Sequence, residues 1–147
     1  MRLMRCALIL LATLPLNASA NDINGTWKAV FVGPMGERPK MVSEMMFTFQ
    51  VEGNKLTGDA HMANWPGDAP ISDGKIDGDR ISFTVIGKLP WTATSGGVTT
   101  SGYPKLVFSG TVNGKEMKII LNWGSILTSG EERTGHDLDM KAKKVLQ

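Results

Sequence analysis

Residues 43–63 read "SEMMFTFQVEGNKLTGDAHMA", and the pattern in this stretch decides the fold class. Met45, Phe47, Phe49 and Val51 fall on alternate positions, with Met46, Thr48 and Gln50 between them. A period of two sends each set to its own face of an extended chain, so Ser43–Val51 is expected to be a half-buried β-strand. "VEGNKLTG", residues 51–58, then turns the chain into another strand over Lys55–Ala63.

The same grammar extends in both directions. Upstream, Ile23–Val32 forms a first strand. Downstream, the loop "NWPGDAP" (64–70) leads to a strand at Ile71–Asp77. "IDGDRI" (76–81) then makes a tight hairpin into Arg80–Gly87, where Ile81, Phe83 and Val85 alternate with Ser82 and Thr84. Residues 92–102, "TATSGGVTTSG", have no apolar period and are expected to be a small-residue loop, the natural mobile element. Pro104–Val112, an Asn-Gly turn in "VNGKE" (112–116), Glu116–Trp123 and Asp137–Val145 complete the set. Eight short strands, mostly tight connections and no helix predict an all-β fold: a single eight-stranded antiparallel up-and-down β-barrel, which leaves no exposed edge. A β-sandwich is the alternative. A barrel of this size either holds one small ligand or is filled by its own side chains.

The N-terminus predicts export. Arg2 and Arg5 make a positive start, Cys6–Leu16 is an apolar run too short to span a bilayer, and Ala18-Ser19-Ala20 is a small-residue cleavage site. Residues 1–20 are therefore expected to be a signal peptide, and 21–147 a single secreted or periplasmic domain. Cys6 lies too far before the cleavage site to be a lipoprotein cysteine. Without Arg2 and Arg5 the chain has 14 basic and 14 acidic residues, leaving no electrostatic footprint for nucleic acid. No amphipathic basic stretch or further apolar run points to membrane insertion after cleavage. With Cys6 removed no disulfide can form, so the core alone must hold the fold.

Gly25-Thr26-Trp27 opens the first strand. A Gly-x-Trp at this place resembles the start of lipocalins and avidin-type barrels, the calycin group. The resemblance implies that Gly25 and Trp27 close one end of the barrel. Lipocalins add an arginine near the last strand, for which Arg133 is the candidate. "NGTW", "NKLTG", "FSGTV", "ILTSG" and "TGHD" also follow the order seen in avidins and streptavidin, over most of the mature chain. The biotin contacts transfer poorly: the positions implied by that resemblance hold Ala29, Gly33, Ala60, Met62, Gly87 and Phe108, and only Trp123 and Asp137 match. The resemblance supports the barrel and argues against biotin, because each lost polar contact removes about 1 kcal/mol or more. "ISDGKIDGDRISFTV" (71–85) resembles a second pattern, found in small secreted bacterial domains.

The direction of Asp137 turns on parity. Leu138, Met140 and Ala142 alternate with Asp137, Asp139, Lys141 and Lys143. If the apolar set faces the lumen, Asp137 points to solvent, and this arrangement is favoured. If Asp137 points inward, Leu138 and Met140 face outward and offer a homo-oligomer surface.

No metal or cofactor is expected. His61 and His136 are the only histidines, too few for a zinc site, and Asp73, Asp77 and Asp79 lack the order of a calcium loop. Ser129, His136 and Asp137 do not make a triad, since adjacent strand residues face opposite ways. The leading functional expectation is a small-molecule binding module, its mostly apolar ligand held at the barrel mouth by Trp65, Trp91, Tyr103, Phe108, Trp123 and Asp137. It carries a condition: Phe47, Phe49, Phe83 and their neighbours must not fill the interior. A second expectation is a non-catalytic structural or protein-interaction barrel with a filled core. A third is a barrel enzyme using His61 or Asp137 as acid or base.

Overall fold

The computed structural model describes residues 22–31, 44–62 and 65–145. The expected signal peptide, Gly33, and the expected strand ends at Val32, Ser43 and Ala63 lie outside the described residues. Among the described residues there are nine strands and no helix: β1 (Gly25–Phe31), β2 (Glu44–Glu52), β3 (Lys55–Met62), β4 (Ala69–Asp77), β5 (Arg80–Ile86), β6 (Trp91–Ser95), β7 (Val98–Asn113), β8 (Glu116–Leu127) and β9 (Glu132–Lys144). Each of β1–β4 pairs antiparallel with the next, β5 passes over β6 to pair with β7, and β7–β8–β9 continue the ring. The ring closes where Trp27 faces Lys144 and Phe31 faces Met140 across β1 and β9. The molecule is a closed eight-stranded antiparallel barrel with β6 as an extra strand.

That extra strand corrects the expected loop at 92–102. Trp91–Ser95 pairs with Val98–Gly102 around Gly96-Gly97, whose φ angles of 57° and 80° suit the tightest hairpin turn. Hydroxyl pairs Thr92–Ser101 (3.2 Å) and Thr94–Thr99 (3.1 Å) join the strands where apolar contacts would otherwise do so.

The two ends of the barrel differ. At one end three two-residue turns join the strands, each with a glycine of positive φ first: Gly53 (61°), Gly78 (59°) and Gly114 (62°). In "VNGKE" the turn is therefore Gly114-Lys115, with Asn113 and Glu116 already paired. The N-terminal segment covers this end. Trp27 is fully buried and its Nε1 donates to the Ile23 carbonyl (2.8 Å), while Asn24 accepts from the Val51 N–H (2.8 Å). Lys144 donates to the Asp22 carbonyl (2.8 Å). The Asn24 backbone N–H, then its side-chain amide and Lys144, hold the Asp22 carboxyl below its ordinary range. The opposite end carries the longer connections: 65–68, 87–90, the β6–β7 hairpin and 128–131.

Inward positions follow the alternation. Met45, Phe47 and Phe49 of β2, Ile81, Phe83 and Val85 of β5, and Met117, Ile119 and Leu121 of β8 are buried. Met140 and Ala142 are buried with them and Leu138 packs against them, so the last strand presents its apolar set to the interior. The outward apolar stripe of Leu138 and Met140 is therefore not formed.

Candidate functional site

Four rings occupy the middle of the barrel. Phe83 stacks on Phe108 at 4.6 Å between centroids, and Phe47 on Phe49 at 5.6 Å. The two pairs meet edge to face at 5.2–5.3 Å, distances at which aromatic pairs attract beyond simple area burial. All four are at most 1% exposed. The side chains are close-packed across the lumen, and Phe108 is part of that packing rather than a free ligand contact.

The other expected contacts divide by face. Directly paired residues share a face, and Ile71, Val85, Leu106 and Trp123 form one inner row across β4, β5, β7 and β8. Trp91 pairs with Gly102, which pairs with Leu127, so it belongs to the inner side as well. Trp65 lies over Gly87: a Cβ there would sit 3.0 Å from its ring and from Pro104. Trp65 and Trp123 are half-buried against the core. Trp65, Trp91 and Trp123 thus each lie toward the inner side at the loop end. Tyr103, paired with Ile126, is on the outer side with its ring partly exposed.

Asp137 is outside too. Its carboxylate accepts from Asn122 Nδ2 (2.8 Å), and the same amide group donates to the Gly135 carbonyl (3.1 Å) and accepts from the Gly135 N–H (3.2 Å). These bonds hold a bulge. Trp123 faces His136 and Ser125 faces Arg133, so β9 spends one residue more than β8 in between. Gly135 approaches the Trp123 carbonyl so closely that any Cβ would collide with it, and Gly124 meets the Arg133 carbonyl likewise. "TGHD" is thus the chemistry of a bulge: a glycine for the close approach, an aspartate for the clamp. A second bulge lies in β4 at Asp73, whose φ of 51° is tolerable for an aspartate, next to Gly74.

His61 is exposed and its Nδ1 lies 2.8 Å from Asp68, a surface pair. No group of three or more potential metal ligands occurs among the described residues.

A concavity that no single motif announced lies on the outside of β4, β5 and β7–β9. It has a volume of about 780 Å³. Ser82, Ser109, Ile120 and Asp139 form one outward row across it, and Arg80, Thr111, Lys118 and Lys141 form the next. Lys75 and Asp77 border it from β4. Only cross-strand register brings these residues together, since they come from five strands.

No protein-family model, curated protein or solved structure matches this chain.

Proposed function

We propose that the protein is a non-catalytic structural or interaction barrel of the exported kind, with a filled core, acting through its surface. The observation that carries this is the packing of Phe47, Phe49, Phe83 and Phe108 across the lumen. A ligand-holding barrel of eight strands needs that space for its cargo. The groups an enzyme reading would use also favour a surface role: His61 pairs with Asp68 in solvent, and Asp137 sits outside, clamped to Asn122. The wall is apolar inside and rich in Lys, Ser, Thr and Asp outside, the inverse of a barrel that faces lipid.

Native mass spectrometry tests this on protein purified from an exporting host without refolding. The expected spectrum has the bare protein mass. An excess mass that leaves on denaturation, and that survives both Trp123→Ala and the double variant Lys118→Gln/Lys141→Gln, would overturn the filled core. A second reading, a shallow apolar ligand resting on the loop end, is favoured by Trp65, Trp91 and Trp123 sharing the inner side there. It predicts an excess mass that Trp123→Ala abolishes.

A further inference from the structure

We infer that the outer groove over β5 and β7–β9 binds a single-chain amphiphilic anion, its head at Lys118 and Lys141 and its hydrocarbon chain along Ile120 and the serine floor. This rests on the filled-core reading, which places function on the outside of the wall.

Charge is the first observation. Lys118 and Lys141 are direct cross-strand partners on the outward face. Like charges placed directly opposite destabilise a sheet. Arg80 lies in the same row two strands away, on β5, with Thr111 between, and Lys75 stands on β4. Adjacent strands are about 4.8 Å apart, so the row from Arg80 to Lys141 spans about 14 Å. Among the described residues none of these four cations makes an ion pair within 4.0 Å, although Lys28, Lys105, Arg133 and Lys144 each do. Two carboxylates, Asp77 and Asp139, share the lining, so the four cations leave an excess of positive charge.

Shape and polarity are the second. A volume of about 780 Å³ falls in the range of small-molecule sites. The floor is made of small residues, Ser82, Ser109, Gly110 and Thr111, which leave the depth unfilled. Ile120 is 48% exposed beside it, and Val107, diagonal to Ile120 on the next strand, is 39% exposed. An apolar strip running from a row of unpaired cations fits a ligand with both characters. Asp139 fixes its direction: lying in the Ile120 row, it repels an anionic head there and favours the Lys118–Lys141 row. A second concavity lined by Glu116 and Lys143 continues from Thr111, Lys118 and Lys141 toward the turns.

The test is a titration of the isotopically labelled protein with dodecanoate below its micelle-forming concentration, followed by backbone amide shifts. The expected result is saturable shifts concentrated on Ser82, Ser109, Lys118, Ile120 and Lys141. The exposed double variant Lys118→Gln/Lys141→Gln should weaken binding about tenfold or more, and high salt should weaken the parent but hardly the variant. Decyl maltoside, with a neutral head, should bind far more weakly, and acetate should not saturate. Equal affinity for decyl maltoside, or an unchanged affinity in the double variant, would overturn the anionic head. Acetate binding as tightly as dodecanoate would overturn the amphiphile. Shifts on Trp65, Trp91 and Trp123 instead would move the site to the loop end. Shifts on Phe47, Phe49 and Phe83 would overturn the filled core, whereas the absence of any saturable shift would overturn the groove alone.

Discussion

On the inner side of β5 and β7–β9, one cross-strand row reads Phe83, Phe108, Leu121, Leu138; the adjacent outer row, one residue away, reads Ser82, Ser109, Ile120, Asp139. The same backbone ladder therefore carries large side chains on one side, Phe83, Phe108 and Leu121 packed to near-zero exposure and Leu138 partly buried against them, and mostly small or charged ones on the other. Volume is what the inner row requires, because a void there loses both contacts and burial. The outer face is released from that demand, and in its next row it tolerates two lysines, Lys118 and Lys141, face to face. The demand for close packing resides on one side of the wall, and freedom in side-chain choice on the other.

Four substitutions would break or sharpen this contrast. The largest effect is expected from Phe83→Ala, which removes a ring that touches three others. It should destabilise the protein by about 3–5 kcal/mol in urea unfolding; a loss below about 1 kcal/mol would mean the lumen is loosely filled. Next comes Gly135→Ala, where the new Cβ collides with the Trp123 carbonyl. The bulge must shift, at roughly 1–3 kcal/mol, and amide shifts should change around Trp123 and His136. Asn122→Ala removes bonds to both Gly135 and Asp137 at a half-exposed site. It should cost about 1–2 kcal/mol, read from the thermal midpoint. The smallest effect has the opposite sign. Lys118→Gln relieves the repulsion from Lys141 and should stabilise by a few tenths of a kcal/mol, roughly 0.2–0.5, an increment that added salt erases. A clear destabilisation by Lys118→Gln would place structural weight on the outer row and end the contrast.

All eight barrel strands were legible in the sequence because each has an inner set that must be apolar, as Met45, Phe47 and Phe49 illustrate. β6 was not, since Thr-Ala-Thr-Ser and Val-Thr-Thr-Ser have no buried face to enforce a period; hydroxyl pairs and a Gly-Gly turn hold them instead. The parity of Asp137 could be read from Leu138 and Met140, because shifting the register by one residue would have exposed both. Phe108 could not be assigned from sequence: an inward phenylalanine lines a cavity or fills it according to the rings it meets from other strands. Trp91 and Tyr103 looked like equivalent loop aromatics, yet pairing with Gly102 and Ile126 sends them to opposite sides. Lys118 and Lys141 stand 23 positions apart in the chain, and their opposition exists only through the β8–β9 register. Residues joined by register alone leave no local pattern to read.

The pairing of β1 with β9 also governs how the chain can reach this shape. Val30 waits for Lys141 and Trp27 for Lys144, partners separated by nearly the whole folded length. The ring therefore cannot close until the C-terminal strand is present, and the entropy of joining such distant segments must be met before their contacts repay it. A chain cut before Met140 would leave β1 with a bare edge along the pairs that now seal it, where it would invite another chain to pair. Met140–Lys144 thus acts as a latch on folding, turning an open sheet with a bare edge into a closed ring.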